Sequence, residues 1–165
     1  MAPLRVDGVP ADEARALLRA CCGSSRWVER MIERRPFGSE EAMLSAAREE
    51  WFALEPSDWM EAFAAHPKIG DRDGLRSGSA GTRHLAAREQ AGVDGAPEDV
   101  LSALAAGNAA YEEKFGYIFI VCATGLTAGE MLARLRDRLA NDPTTELRTA
   151  ADEQAKITGL RLKKM

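Results

Sequence analysis

The chain has little of what marks small secreted or metal-clamped proteins. Its 165 residues hold three cysteines, Cys21, Cys22 and Cys122, an odd number with one adjacent pair. That is no disulfide framework, and no C-x-x-C spacing offers a zinc site, so the set fits a reducing cytosol. Basic charge is not in excess: 22 Lys and Arg stand against 26 Asp and Glu, for a net charge of −4. A phosphate-binding surface has no overall support, which argues against nucleic acid as a partner. The longest uninterrupted apolar run, YIFIVCA at 117–123, is far too short to span a bilayer, so no membrane partner is expected. The opening MAPLRVDGVPADEAR has no apolar h-region and does not read as a secretory signal. The closing RLKKM is not a peroxisomal address. Histidine is scarce, with two copies, His66 and His84.

What remains is the balance of an ordinary globule, 45% hydrophobic and 29% charged, long enough for one domain over 1–165 with a real core. The periodicity is nearly all helical. Ala14, Leu17, Leu18 and Cys21 repeat at i, i+3, i+4, i+7. Ser24 or Ser25 caps a second helix with Trp27, Val28, Met31 and Ile32, stopped by Pro36. Ser39 opens a third, striped by Met43, Ala47, Trp51 and Leu54, and WMEAFAA forms a short fourth ending at His66-Pro67. PKIGDRDGLRSGSAG, with four glycines in fifteen residues, is the one long loop, and loops of that length inside compact domains tend to be functional. TRHLAAREQAG resumes helix and is closed by Gly92. Pro97 to Phe115 is a long helix striped by Leu101, Leu104, Asn108, Tyr111 and Phe115. YIFIVCA reads as a buried strand or a buried helical turn, and periodicity cannot choose. Thr127-Ala-Gly-Glu130 is a capping box, and a last helix runs from about Thr144 to Leu162. The expected fold class is all-α, a single-domain irregular helical bundle.

Polar residues on apolar stripes are the informative ones, because burial without a partner costs free energy. Gln154 and Arg161 follow Leu147 at sevens, Glu89 follows Leu85 by a turn, and Asn108 interrupts the long stripe. Each has a plain reading. Arg161 near a helix C-terminus favours the dipole and can snorkel outward. Glu89 can face solvent, Asn108 can be a core hydrogen-bonding residue, and His66 can be a helix stop. Taken together, an imidazole, a carboxylate, the Gln90 amide and a guanidinium make a pocket for a small polar anion.

These residues carry a family resemblance. HPKIGD at 66–71, REQAG at 88–92, NAAYEEKFGYIFIVCATG at 108–125 and KITGLRL at 156–162 resemble the urate-pathway decarboxylase acting on 2-oxo-4-hydroxy-4-carboxy-5-ureidoimidazoline, OHCU. The resemblance implies a helical homodimer without metal or organic cofactor, converting the small-molecule substrate OHCU to (S)-allantoin in the cytoplasm. It also implies a working partnership with the upstream hydrolase that makes OHCU. The catalytic residues it implies are His66, Glu89 and Arg161. The substrate contacts are Pro67, Ala86, Gln90 and the segment Phe119, Ile120, Val121, Cys122 and Ala123, whose backbone faces the ligand. Two positions depart from the family pattern. Ala86 stands where many members have a serine, and Leu126 stands where many have an arginine.

Two other classes compete. A helical interaction module would use His66 only as a cap and leave His66, Glu89 and Arg161 far apart. A metal-dependent hydrolase would draw on His66, Asp71, Asp73, His84 and Glu89, whose ligand types fit but whose spacing matches no metal motif.

Overall fold

Helix starts are set by local chemistry that the sequence displays. In the computed structural model, which describes residues 3–68, 91–93 and 95–165, Ser24 accepts the Trp27 N–H at 3.3 Å and Ser39 accepts the Ala42 N–H at 3.1 Å. These caps open α3 (Ser25–Glu33) and α4 (Glu40–Phe52). They are preceded by a short α1 (Arg5–Gly8) and by α2 (Ala11–Cys21). Pro56 occupies the first turn of α5 (Pro56–Ala64), where its missing N–H costs nothing, and Asp58 accepts the Glu55 N–H at 3.2 Å. After a 3₁₀ turn at Ala91–Val93 come α6 (Glu98–Phe115), α7 (Ala128–Leu139) and α8 (Pro143–Lys163). The Thr127 capping box is formed in both directions, Glu130 N–H to Thr127 Oγ1 and Thr127 N–H to Glu130 Oε1, each 3.1 Å. Gly116 ends α6 with φ +85°, the left-handed cap that a Cβ disfavours.

The chain divides into two compact units. The first comprises 1–65 and 155–165. In it α3 packs on α2, α4 and α5. Trp27, fully buried, donates its indole N–H to the Ala47 carbonyl at 3.1 Å, so the largest apolar side chain of α3 also satisfies its polar tip. The second unit, 66–154, is built on the α6–α7 pair. Its core holds Val93, Leu104, Tyr111, Phe119, Val121, Met131 and Leu135. α8 contributes its residues up to Gln154 to the second unit and those from Ala155 to the first.

The all-α class is observed, with no strand among the described residues. The segment 117–123 is neither of the two forms its composition suggests. It runs irregularly through the core of the second unit, with Phe119, Ile120, Val121 and Ala123 buried. Backbone groups buried without a helix or ladder still need partners, and charged side chains supply two of them, as described below. The glycine-rich loop and most of the TRHLAAREQAG helix lie outside the described residues. The end of that element shows why Gly92 is a glycine. A Cβ there would fall 1.9 Å from the Leu126 carbonyl oxygen, so the turn packs backbone to backbone. None of the described helices is long and apolar enough to cross a membrane.

Candidate active site

His66 follows the C-cap residue Ala65 of α5, half-buried. Its ring reaches far along the sequence: Nε2 lies 2.5 Å from Oε1 of Gln154 on α8. Gln154 is fully buried. Two residues on, Lys68 Nζ sits 3.0 Å from a Glu112 carboxylate oxygen on α6. The HPK segment is thus held to two helices of the second unit, with the rigid Pro67 between the anchors.

The residue before Gln154 serves the second element that the resemblance implicates. Glu153, nearly buried, accepts the Cys122 N–H at 3.1 Å. Two residues earlier in that strip, the Ile120 carbonyl accepts from Nη1 of Arg138 of α7 at 2.5 Å. Consecutive residues of one helical turn therefore hold the His66 ring and the backbone of Phe119–Ala123. The contact also narrows what the strip can offer a ligand, since the Cys122 N–H already has a carboxylate acceptor.

Arg138 is itself part of a buried polar cluster. Its Nε is 2.9 Å and its Nη2 2.5 Å from Glu146 Oε2, and Glu146 is fully buried. The Tyr111 hydroxyl donates to the same carboxylate, and Asn141 Nδ2 adds a bond of 3.1 Å to Oε1. Burial, followed by the Glu146 hydrogen bond, raises the Tyr111 pKa well above that of a free phenol, so Tyr111 remains a donor. Burial works against the Arg138 charge, but the Glu146 hydrogen bonds and charge outweigh it and raise its pKa. The guanidinium also lies 4.6 Å from the Phe119 ring centroid.

Arg161, in the first unit, is 5% exposed, so it does not snorkel. Its Nη1 donates to the carbonyl of Ala20 at 3.2 Å, near the negative end of α2. Next to it in that unit is the Cys22 thiol. Burial pushes this thiol up to about 11, against weaker opposing effects from the Ser24 backbone, the Thr158 hydroxyl and the Arg161 charge.

The structure therefore brings together, within the second unit, His66, Pro67 and the Phe119–Ala123 strip through neighbouring residues of α8. Arg161 is described in the other unit. Ala86, Glu89 and Gln90, like Asp71, Asp73 and His84 of the metal reading, lie outside the described residues. The sequence profile of the OHCU decarboxylase family matches residues 7–163. The chain belongs to that family. It is 40% identical over 148 residues to the uric acid degradation bifunctional protein TTL of Arabidopsis thaliana, covering 89% of this chain and 45% of that protein. It is 30% identical over 128 residues to the OHCU decarboxylase of Amia calva, covering 78% of this chain and 73% of the relative. A crystal structure of OHCU decarboxylase in the presence of (S)-allantoin matches with a TM-score of 0.74 at 39% identity, covering 88% of this chain and 94% of that one. The chain thus spans less than half the length of the Arabidopsis protein.

Within the OHCU decarboxylase framework, sequence reasoning missed the contacts that hold His66 and the Phe119–Ala123 strip. Gln154 was visible as a polar residue on an apolar stripe, but its partner His66 is 88 positions away. Arg138 and Glu146 left a signal that periodicity alone does not weigh. Arg138 falls three residues after the buried Leu135, on the inner face of α7. Glu153 and Glu146 are seven apart, so they share a face of α8 with the buried Ala150.

Proposed function

We propose that this chain decarboxylates OHCU to (S)-allantoin. The observation that carries the reading is His66. The family's acid-base histidine matches this position, and here its ring is seated on a fully buried amide beside the strip that is expected to face the ligand.

In the reaction the bond between the ring carbon and its carboxylate breaks, carbon dioxide leaves, and the electron pair passes into the conjugated imidazoline. A proton then adds to one face of that carbon. The substrate's own conjugation serves as the electron sink. The protein's tasks are to orient the carboxylate, stabilise the developing charge and deliver the proton. In this reading His66 handles the proton, for which a positioned group supplies about 10²–10⁴-fold. Arg161 and Gln90 hold polar groups of the substrate, and Glu89 orients the His66 ring or the 4-hydroxyl. Backbone N–H groups of 119–123 other than that of Cys122 stand where charge develops. Ala86 is a substrate contact in this reading, without the hydroxyl that many family members offer at this position.

On the same resemblance the working form is a homodimer in a reducing cytosol, supplied with OHCU by the upstream hydrolase. The function is tested with freshly generated OHCU by following circular dichroism. Rapid growth of the (S)-allantoin signal supports the reading. Racemic product, formed no faster than without protein, sinks it.

A further inference from the structure

Val121 has a clamp on each of its flanking peptides. Arg138 Nη1 donates to the Ile120 carbonyl at 2.5 Å, and the Cys122 N–H donates to Glu153 at 3.1 Å. Both peptides are trans. In a planar trans peptide the N–H and the C=O point in opposite directions. The Val121 N–H therefore points away from Arg138, and the Val121 carbonyl away from Glu153. The first clamp is itself held: the nearly buried guanidinium is bonded through Nε and Nη2 to Glu146, which also accepts from Tyr111 and Asn141. Val121 is buried, where an N–H needs an acceptor, and among the described residues none is bonded to it. A donor whose direction is set before the substrate arrives costs no reorganisation when charge develops.

We propose that Arg138 is a positioning residue: its grip on the Ile120 carbonyl aims the Val121 N–H at the substrate atoms on which charge develops during decarboxylation. This rests on the reading of the Phe119–Ala123 strip as the backbone that faces the ligand. Arg138 acts through the peptide and need not touch the substrate. Loss of its grip should lower kcat while leaving substrate binding largely intact, the pattern of an interaction that matters in the transition state.

The test uses the full chain. The dipeptide Ile-Val occurs once in the sequence, at 120–121, so protein labelled with [1-¹³C]isoleucine and [¹⁵N]valine gives one carbonyl-to-amide cross-peak, that of the peptide in question. The probe is (S)-allantoin, with its occupancy followed by calorimetry. In the wild type, saturation with (S)-allantoin should move the Val121 proton downfield, as a new acceptor does. Arg138→Lys keeps a charge for Glu146, but one ammonium cannot bridge Glu146 and Ile120 as the planar fork does. In that variant the Ile120 carbonyl carbon should move upfield, and the shift of Val121 on adding (S)-allantoin should shrink. Its kcat should fall about 10²-fold with KM changed less than about threefold. The Arg138→Met, Glu146→Gln double variant, which removes the ion pair as a unit, should show the same spectral and kinetic losses. A Val121 cross-peak that saturating (S)-allantoin leaves in place in the wild type overturns the proposal. So does an Arg138→Lys protein with wild-type kcat. If Arg138→Lys fails to fold, the wild-type titration and the double variant decide; if (S)-allantoin binds too weakly to saturate an active enzyme, the kcat of the variants decides. The two failures are separable: a wild type that neither binds (S)-allantoin nor makes it from OHCU removes the reading of the function. An active wild type whose Arg138→Lys variant keeps full kcat removes only the role of Arg138.

Discussion

Arg138 donates to the carbonyl of Ile120 at 2.5 Å while pairing with the fully buried carboxylate of Glu146. One guanidinium thus joins the helix pair α7–α8 to the irregular strip that the proposed mechanism uses. Buried ion pairs are poor sources of net stability but costly to break, because the survivor is left charged and unpaired. Arg138→Met should therefore destabilise the protein by roughly 3–5 kcal/mol, read as a lower urea midpoint. Arg138→Met combined with Glu146→Gln, which keeps an acceptor for Tyr111, should recover a large part of that loss. Turnover should not recover with it, since the Ile120 carbonyl has lost its donor. A double variant as unstable as the single one would show that the pair does not act as a unit.

Arg161 is rigidly supplied, with its guanidinium buried and bonded to the Ala20 carbonyl. Lysine keeps the charge and loses the planar fork. If Arg161 holds the substrate carboxylate, Arg161→Lys loses about 1.5–3 kcal/mol of charged hydrogen bonding, roughly 10- to 150-fold in kcat/KM. A kcat/KM equal to wild type would place Arg161 outside the site.

Cys22 gives a pH dependence with a definite sign. Its folded-state pKa is raised, chiefly by burial, from 9.0 to about 11. Below pH 9 the thiol is neutral in both states and contributes no slope. Between pH 9 and about 11 the unfolded chain releases this proton and the folded chain keeps it, so stability falls as pH rises. At about 1.4 kcal/mol per unit the fall amounts to roughly 3 kcal/mol. Cys22→Ala should lose stability less steeply over this window than wild type in parallel denaturant titrations. Equal slopes would mean that the folded thiol titrates normally.

Ser24 is a buried cap whose hydroxyl accepts the Trp27 N–H, at the start of the helix on which the first unit is packed. Ser24→Ala should cost about 1 kcal/mol, a drop in Tm of roughly 2–4 °C for a chain of this size. Specific activity at a temperature well below the transition should be unchanged.

Local signals were legible and distant ones were not. Ser24, Ser39, Thr127 with Glu130, and Gly116 mark helix ends because each acts on backbone within a few residues. Arg161 and Gln154 stood out because a polar group on an apolar stripe requires a partner, and both are buried. Their partners, the Ala20 carbonyl and the His66 ring, lie 141 and 88 positions away, a separation that no helical period encodes. The segment 117–123 escaped for a related reason. Its composition announces burial, but its conformation depends on Arg138 and Glu153 satisfying backbone groups that a strand would have paired with another strand.

The central claim is that His66 handles the proton at the carbon that loses carbon dioxide. OHCU decays without help, so the decisive observable is handedness. Freshly generated OHCU is mixed with wild type or His66→Asn, and the circular dichroism of allantoin is followed. Wild type should produce (S)-allantoin rapidly, while His66→Asn, folded and with unchanged helical content, should be slower by about 10²–10⁴-fold and yield the racemate of the uncatalysed decay. A His66→Asn protein that makes (S)-allantoin at the wild-type rate would contradict the account.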